Sequence, residues 1–208
     1  MFTLNPTSPD FLGTLEFLLK LLGAIGGLYL FFTGIQKYFK EQIWKRNEFV
    51  ANEFKAFNDD RMARNAMYML DWGERYIELF PDKEKYDERY AKVDRGVLKK
   101  ALQYHELRNI PNGRERFTRE EVAIRDTFDH FLSYFERFCS FIEARLVTKK
   151  ELEPYINYWI ETISYKMEEN VRNVLHQYID KYDFTGTQKL FLAFGKDIKP
   201  KTDIPTIF

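Results

Sequence analysis

The sequence predicts an all-α fold with a membrane-spanning N-terminal helix, and three observations carry that expectation. Residues 11–36, FLGTLEFLLKLLGAIGGLYLFFTGIQ, form an apolar run about as long as a bilayer is thick. Apolar side chains then recur at helical spacing along most of the remaining chain. No alternating strand pattern of convincing length interrupts them. The expected organisation is a tail over 1–10, a transmembrane helix over 11–36, a juxtamembrane stalk helix over 37–57, a cytoplasmic antiparallel helical bundle over 58–195, and an extended tail over 196–208.

The first element is justified by length and flanks. Leu21 to Gln36 carries no charge, and at roughly 1.5 Å of rise per residue it covers about 24 Å, short of a hydrocarbon core of about 30 Å. Extension back to Phe11 supplies the rest and brings in Glu16 and Lys20, four residues apart on one helical face, where they pair or reach toward headgroups. A signal peptide would need a basic start and a small-residue cleavage site, and neither is present. A buried or interfacial helix is the remaining alternative. Lys37, Lys40, Lys45 and Arg46 follow the segment while only Asp10 precedes it, so the N-terminus is expected outside and the C-terminal mass in the cytoplasm of a cell (inner) membrane. Gly23 and Gly27 form a G-x-x-x-G, and Gly34 lies seven residues further along the same face. That face suits close helix approach, either to a second copy or to another membrane protein.

The helical pattern continues through Ile35, Phe39, Ile43, Trp44, Val50, Phe54 and Phe57 as a stalk, and Trp44 with its basic neighbours is placed to meet the membrane interface. A helix from about Asp60 to Phe80 is expected next, with Met62, Ala66, Met69, Leu70 and Ile77 toward a core and Pro81 ending it. The charged stretch KEKYDERYAK precedes a short helix near Gly96 to His105, and Pro111-Asn112-Gly113 reads as a turn. Thr118 and Glu121 then make a capping box with Phe117 and Val122 as a hydrophobic staple, opening a long helix whose stripe runs Val122, Phe128, Phe131, Leu132, Phe135, Phe138, Cys139, Ile142 and Leu146. Thr148 and Glu151, stapled by Val147 and Leu152, open its expected hairpin partner, whose stripe continues nearly to Asp180 with room for a break. Thr185 to Phe194 is a final short helix, with Gly195 at its C-terminal cap.

Composition narrows the function classes. Lys plus Arg and Asp plus Glu are equal at 32 each, and no basic stripe interleaves with aromatics, so nucleic-acid binding has no electrostatic support. Cys139 is the single cysteine, which excludes an internal disulfide and a cysteine-based zinc site. The 20 Phe residues imply a well-filled helical core, an extensive partner surface, or both. Asp126 and His130, four apart, read as a solvent-facing pair beside the stripe rather than an acid-base couple. Neither His105, His130 nor His176 has a Glu three residues before it, as a di-iron bundle requires, and no phosphate loop or nucleophile elbow is present. No metal, no cofactor and no catalytic residue is expected. Glu136 lies between Phe135 and Phe138 beside the stripe and requires a partner if buried; Arg61 or Arg64 is the expected cation in a structural ion pair.

Leu132, Tyr134, Phe135, Glu136 and Trp159 in the stretch 131–163 resemble a family of uncharacterised bacterial proteins with one N-terminal transmembrane helix and a helical domain, with Ser133 where that family usually has Asn. The resemblance implies topology and helix pairing and brings no activity with it. The expected function is a non-enzymatic, membrane-anchored protein-interaction module: an adaptor, a sensor component or an accessory subunit of a larger complex. The alternative is a membrane-associated enzyme acting on a lipid or nucleotide through a pocket that periodicity does not reveal. A third reading makes the domain a lipid-surface module using Trp44 and the basic stalk. The tail residues Ile204, Ile207 and Phe208 either dock on a partner or remain a free end.

Overall fold

Helix α1 (Pro9–Asp59) joins the two units into which the chain divides, Met1–Glu48 and Phe49–Phe208. The computed structural model describes residues 9–104 and 117–200, with side chains from residue 13 onward. The turn expected at Pro111-Asn112-Gly113, His105, and the tail residues Ile204, Ile207 and Phe208 lie outside the described residues.

In the first unit α1 is long and apolar enough to cross a membrane, and its large apolar side chains from Leu15 to Phe32 are exposed. Glu16 and Lys20 pair at 2.6 Å, as their spacing predicts.

The second unit is mostly helical. Asp60 ends α1 and caps α2 (Arg61–Asp71), its Oδ1 accepting from the Ala63 N–H at 2.8 Å. Ala63, Ala66, Met67, Met69 and Leu70 are buried along one face of α2. The helix stops nine residues before Phe80, where the sequence pattern placed its end. Gly73 follows, and the chain turns into strand β1 (Glu74–Glu78), paired antiparallel with β2 (Tyr90–Asp94) in register Ile77 to Ala91 and Arg75 to Val93. Alternation explains this correction to an all-α expectation: Ile77 is buried while Tyr76 beside it is exposed. Five residues were too few to stand out against a helical reading that placed Ile77 on the same core.

The one-turn helix α3 (Tyr86–Arg89) leads into β2, and Asp94 then caps α4 (Arg95–Leu102) through the Val97 N–H at 2.8 Å. Arg95 donates from its guanidinium to the carbonyls of Met69 and Leu70 at 2.8 and 3.0 Å, satisfying the C-terminal end of α2.

Helix α5 (Arg119–Glu143) is the central element and packs against α2, α4 and α8. It starts with the predicted capping box: Thr118 and Glu121 each accept the other's backbone N–H. Phe128, Phe131, Leu132, Phe135 and Phe138 are fully buried, and Phe57 from α1 sets its ring 5.0 to 6.1 Å from the rings of Phe131, Tyr134, Phe135 and Phe138. Two expected members of the stripe lie outside it. Val122 is 44% exposed in the first turn, and Leu146 is past the helix end and 52% exposed.

Arg145, in the left-handed region at φ 58°, turns the chain into the second capping box, Thr148 and Glu151, which opens α6 (Lys149–Glu161). The π-helical turn Thr162–Lys166 follows, then α7 (Glu169–Lys181) and α8 (Thr185–Ala193), ended by Gly195 at φ 73°. The stripe from Leu152 to Tyr178 is thus divided between α6 and α7 by a wider turn, the break the sequence leaves room for.

Candidate functional site

The π-turn changes which backbone groups are left over. The Met167 N–H reaches back five residues to the Thr162 carbonyl at 3.1 Å, so the Ile163 carbonyl, which an α-turn would have matched to Met167, is released. His176 on α7 takes its place, with Nε2 2.8 Å from the Ile163 oxygen. A carbonyl only accepts, so Nε2 carries the hydrogen, and in the neutral ring Nδ1 is left as an acceptor. No hydrogen bond engages Nδ1 among the described residues, and that atom keeps contact with solvent although the residue as a whole is only 8% exposed. Burial pushes the imidazole below its usual range, the Ile163 carbonyl opposes that shift, and Arg172 and Asp197 act on the ring in opposite senses, the guanidinium lowering its proton affinity and the carboxylate raising it.

His176 forms part of the wall of a cleft of about 420 Å³ between the π-turn, α7 and the segment after α8. Tyr165, Glu169, Arg172, Asp197 and Lys199 line it as well. Ile198, buried, pins that last segment to the domain, and the Lys199 N–H donates to Asp197 Oδ1 at 3.0 Å. Arg172 donates to the Tyr165 carbonyl at 3.1 Å, and its other terminal nitrogen faces the Glu169 carboxylate at 3.8 Å. Nothing in the sequence pattern marked this cleft, because His176 read as one lone histidine and the π-turn as a possible helix break.

Glu136 answers to a different partner from the one expected. Its carboxylate accepts from the Gly186 N–H at 2.9 Å and from the Thr187 N–H at 2.5 Å, the free donors at the start of α8. Arg61 faces Glu78 at 3.9 Å and Arg64 is exposed, so the ion pair of Glu136 with Arg61 or Arg64 is replaced by a cap supplied from another helix. Phe184, at the N-cap position of α8, has no side-chain acceptor, and the helix start is close enough to α5 that a Cβ on Gly186 would stand 2.5 Å from Glu136 Oε2 and 3.3 Å from its Cα. The helix starts at Thr185 as the sequence predicts, but its cap comes from fifty residues upstream.

A second polar group joins α1, α2 and α5. His130 Nε2 is 3.0 Å from Asp60 Oδ2, and Arg137 pairs with Glu53 at 2.9 Å while its guanidinium lies over the Tyr134 ring at 4.5 Å. His130 thus meets Asp60 and leaves Asp126 at the edge of a shallow apolar groove with Phe80 and Val122. Burial would raise the Asp60 carboxyl, but the Ala63 N–H and His130 outweigh it and hold the group below its ordinary value. A third group forms where Tyr178 donates its hydroxyl to Asp129 under the Arg125 guanidinium, which also caps α4 at the Ala101 carbonyl. Among the described residues no group of three or more His, Cys, Asp and Glu side chains is arranged to hold a metal ion.

On the domain surface, Arg75 lies over the rings of Tyr68 and Trp72 at 4.0 and 5.3 Å, and Tyr158 donates to Asp71 at 2.5 Å while Lys166 approaches its ring at 5.8 Å. Trp72 is 56% exposed and Tyr158 half exposed. Within the first unit a Cβ on Gly23, Gly27 or Gly34 would meet only open space, and Trp44, Lys37, Lys40 and Lys45 are exposed, with Lys45 near Glu41 at 3.8 Å and Arg46 partly covered.

Compared with known family models, characterised proteins and solved structures, the chain matches none of them, and the resemblance over 131–163 has no support from these comparisons.

Proposed function

We propose that this chain is a single-pass, membrane-anchored adaptor whose helical domain binds another protein. The observation that carries the reading is α1: its apolar side chains from Leu15 to Phe32 have no protein to cover them, and a bilayer is the medium that fits their length. Lys37, Lys40, Lys45 and Arg46 on the C-terminal flank favour a cytoplasmic domain and an outside N-terminus. Trp44 among them suits the headgroup level. Gly23, Gly27 and Gly34 offer a flat face for a second anchor helix, which supports a homo-oligomer through the membrane segment.

The partner-binding surface is assigned to the aromatic and cationic patch of Tyr68, Trp72, Arg75, Tyr158 and Lys166. Trp, Tyr and Arg dominate the energetics of protein interfaces, and here their rings are exposed and already held in place by Arg75 and Asp71. Such preordering lowers the entropic cost of association.

The test uses full-length protein in its native membrane. Alkaline carbonate should leave it in the pellet, and protease added to intact cells should spare a C-terminal tag. Affinity purification from mild detergent should recover a stoichiometric partner that Trp72→Ala with Tyr158→Ala loses while the melting temperature holds. Extraction by carbonate alone would overturn the anchor, and a partner retained by the double variant would overturn the patch.

A further inference from the structure

We infer that the face of α1 carrying Lys37, Lys40 and Trp44 binds the headgroup of an anionic phospholipid, so that the chain gathers such lipids around its anchor. This deepens the anchor reading and rests on it, and every residue it uses lies in the first unit.

Three observations converge. First, steps of three and then four residues separate Lys37, Lys40 and Trp44, which places the three side chains on one helical face, and all three are exposed. Second, the two lysines of that face are uncompensated. Lys45 faces Glu41 at 3.8 Å and Arg46 is partly covered, whereas Lys37 and Lys40 enter no ion pair among the described residues. Two ammonium groups one turn apart suit a ligand of net negative charge, and a zwitterionic phospholipid offers the same phosphate but brings a cation of its own. Third, the depth matches a headgroup layer. Lys37 and Lys40 follow Gln36, the last residue of the uncharged run, by one and four residues, so at about 1.5 Å of rise per residue both lie within about 6 Å of its end. The headgroup layer of one leaflet is about 5 to 8 Å deep. Helical side chains lean toward the N-terminus, which is here the bilayer side, so the Lys40 stem and the Trp44 ring, 62% exposed, reach back over the preceding turn. The indole then brings an N–H donor to a lipid ester carbonyl and an apolar face to the layer beneath it. A lysine held near an anionic leaflet gains about fivefold in binding, so two of them are enough to enrich one lipid class over another.

The experiment is quenching of Trp44 fluorescence by brominated lipids, with full-length protein reconstituted into two sets of vesicles of identical composition, a minor fraction of phosphatidylglycerol in phosphatidylcholine. In one set the bromine is carried by the phosphatidylglycerol, in the other by an equal amount of the phosphatidylcholine. Trp44→Phe measured in both sets subtracts the emission of Trp72 and Trp159. The anionic label should quench Trp44 about threefold more strongly than the neutral one, and Lys37→Gln with Lys40→Gln, both at exposed positions, should make the two equal. High salt should narrow the difference. Flotation of the vesicles separates the two readings: protein that fails to float overturns the anchor and this inference with it. Protein that floats yet is quenched equally by both labels overturns this inference alone, as does a preference for the anionic label that survives the double lysine variant.

Discussion

Gly186 shows how one residue is chosen by its neighbour rather than by its own helix. In an exposed helix, Gly→Ala stabilises by about 1 kcal/mol. Here the added carbon would collide with the Glu136 carboxylate and crowd the α5 backbone, so Gly186→Ala should lower the melting temperature, and thermal unfolding gives the sign directly. Glu136→Ala strips the cap and should cost about 1 to 3 kcal/mol, whereas Glu136→Gln keeps one acceptor and should cost less. His176 makes a second prediction, one of pH. Its folded proton affinity lies below that of an unfolded histidine, near pH 6.5, so the neutral ring favours the fold above that pH and the contribution is lost as pH falls below it. The groups around the ring are Arg172 on its own helix, the Ile163 carbonyl and Tyr165 on the π-turn, and Asp197 and Lys199 on the facing segment. Melting curves between about pH 7 and pH 5 should therefore fall more steeply for the native protein than for His176→Gln.

At the level of elements, what local chemistry determines was legible and what tertiary contacts determine was not. Both capping boxes mark α5 and α6 because the Thr and Glu that make them lie within one turn of each other. Thr148→Ala should accordingly cost about 1 kcal/mol in chemical denaturation. The end of α2 departs from the sequence pattern because Ile77 serves the core equally well from a strand, and the ribbon holding it is closed by β2 fourteen residues further on. The π-turn was open to the sequence only as a break, since its reason is a histidine on the next helix. Glu136 was recognised as needing a partner, yet a cation was expected, because main-chain N–H groups from a distant helix leave no mark on side-chain spacing. The candidate cleft was invisible for the same cause: its six named residues come from three segments that only the fold assembles.

For the whole molecule, a cluster of aromatic rings sits within a core whose other buried side chains are mostly aliphatic. Phe57 is its hub, touching four rings of α5 from the far end of α1, and Phe135 extends it to Phe191 of α8 at 5.9 Å. Phe57→Ala should cost about 3 to 5 kcal/mol, a large fraction of a typical domain's stability, and shift the urea midpoint accordingly. The aromatic composition that makes the sequence unusual divides among the buried cluster, the exposed rings of α1 and the patch around Trp72.

The capping of α8 by α5 also sets an order of events during synthesis. A ribosome that has finished α5 has made an acceptor whose two donors, fifty and fifty-one residues later, are still to be translated. Until they emerge, Phe135 lacks Phe191 and a carboxylate stands uncovered beside bare aromatic rings. A nascent chain stalled before Thr185 would present chaperones with that unfinished surface, and release of such a chain from them should coincide with emergence of the last helix.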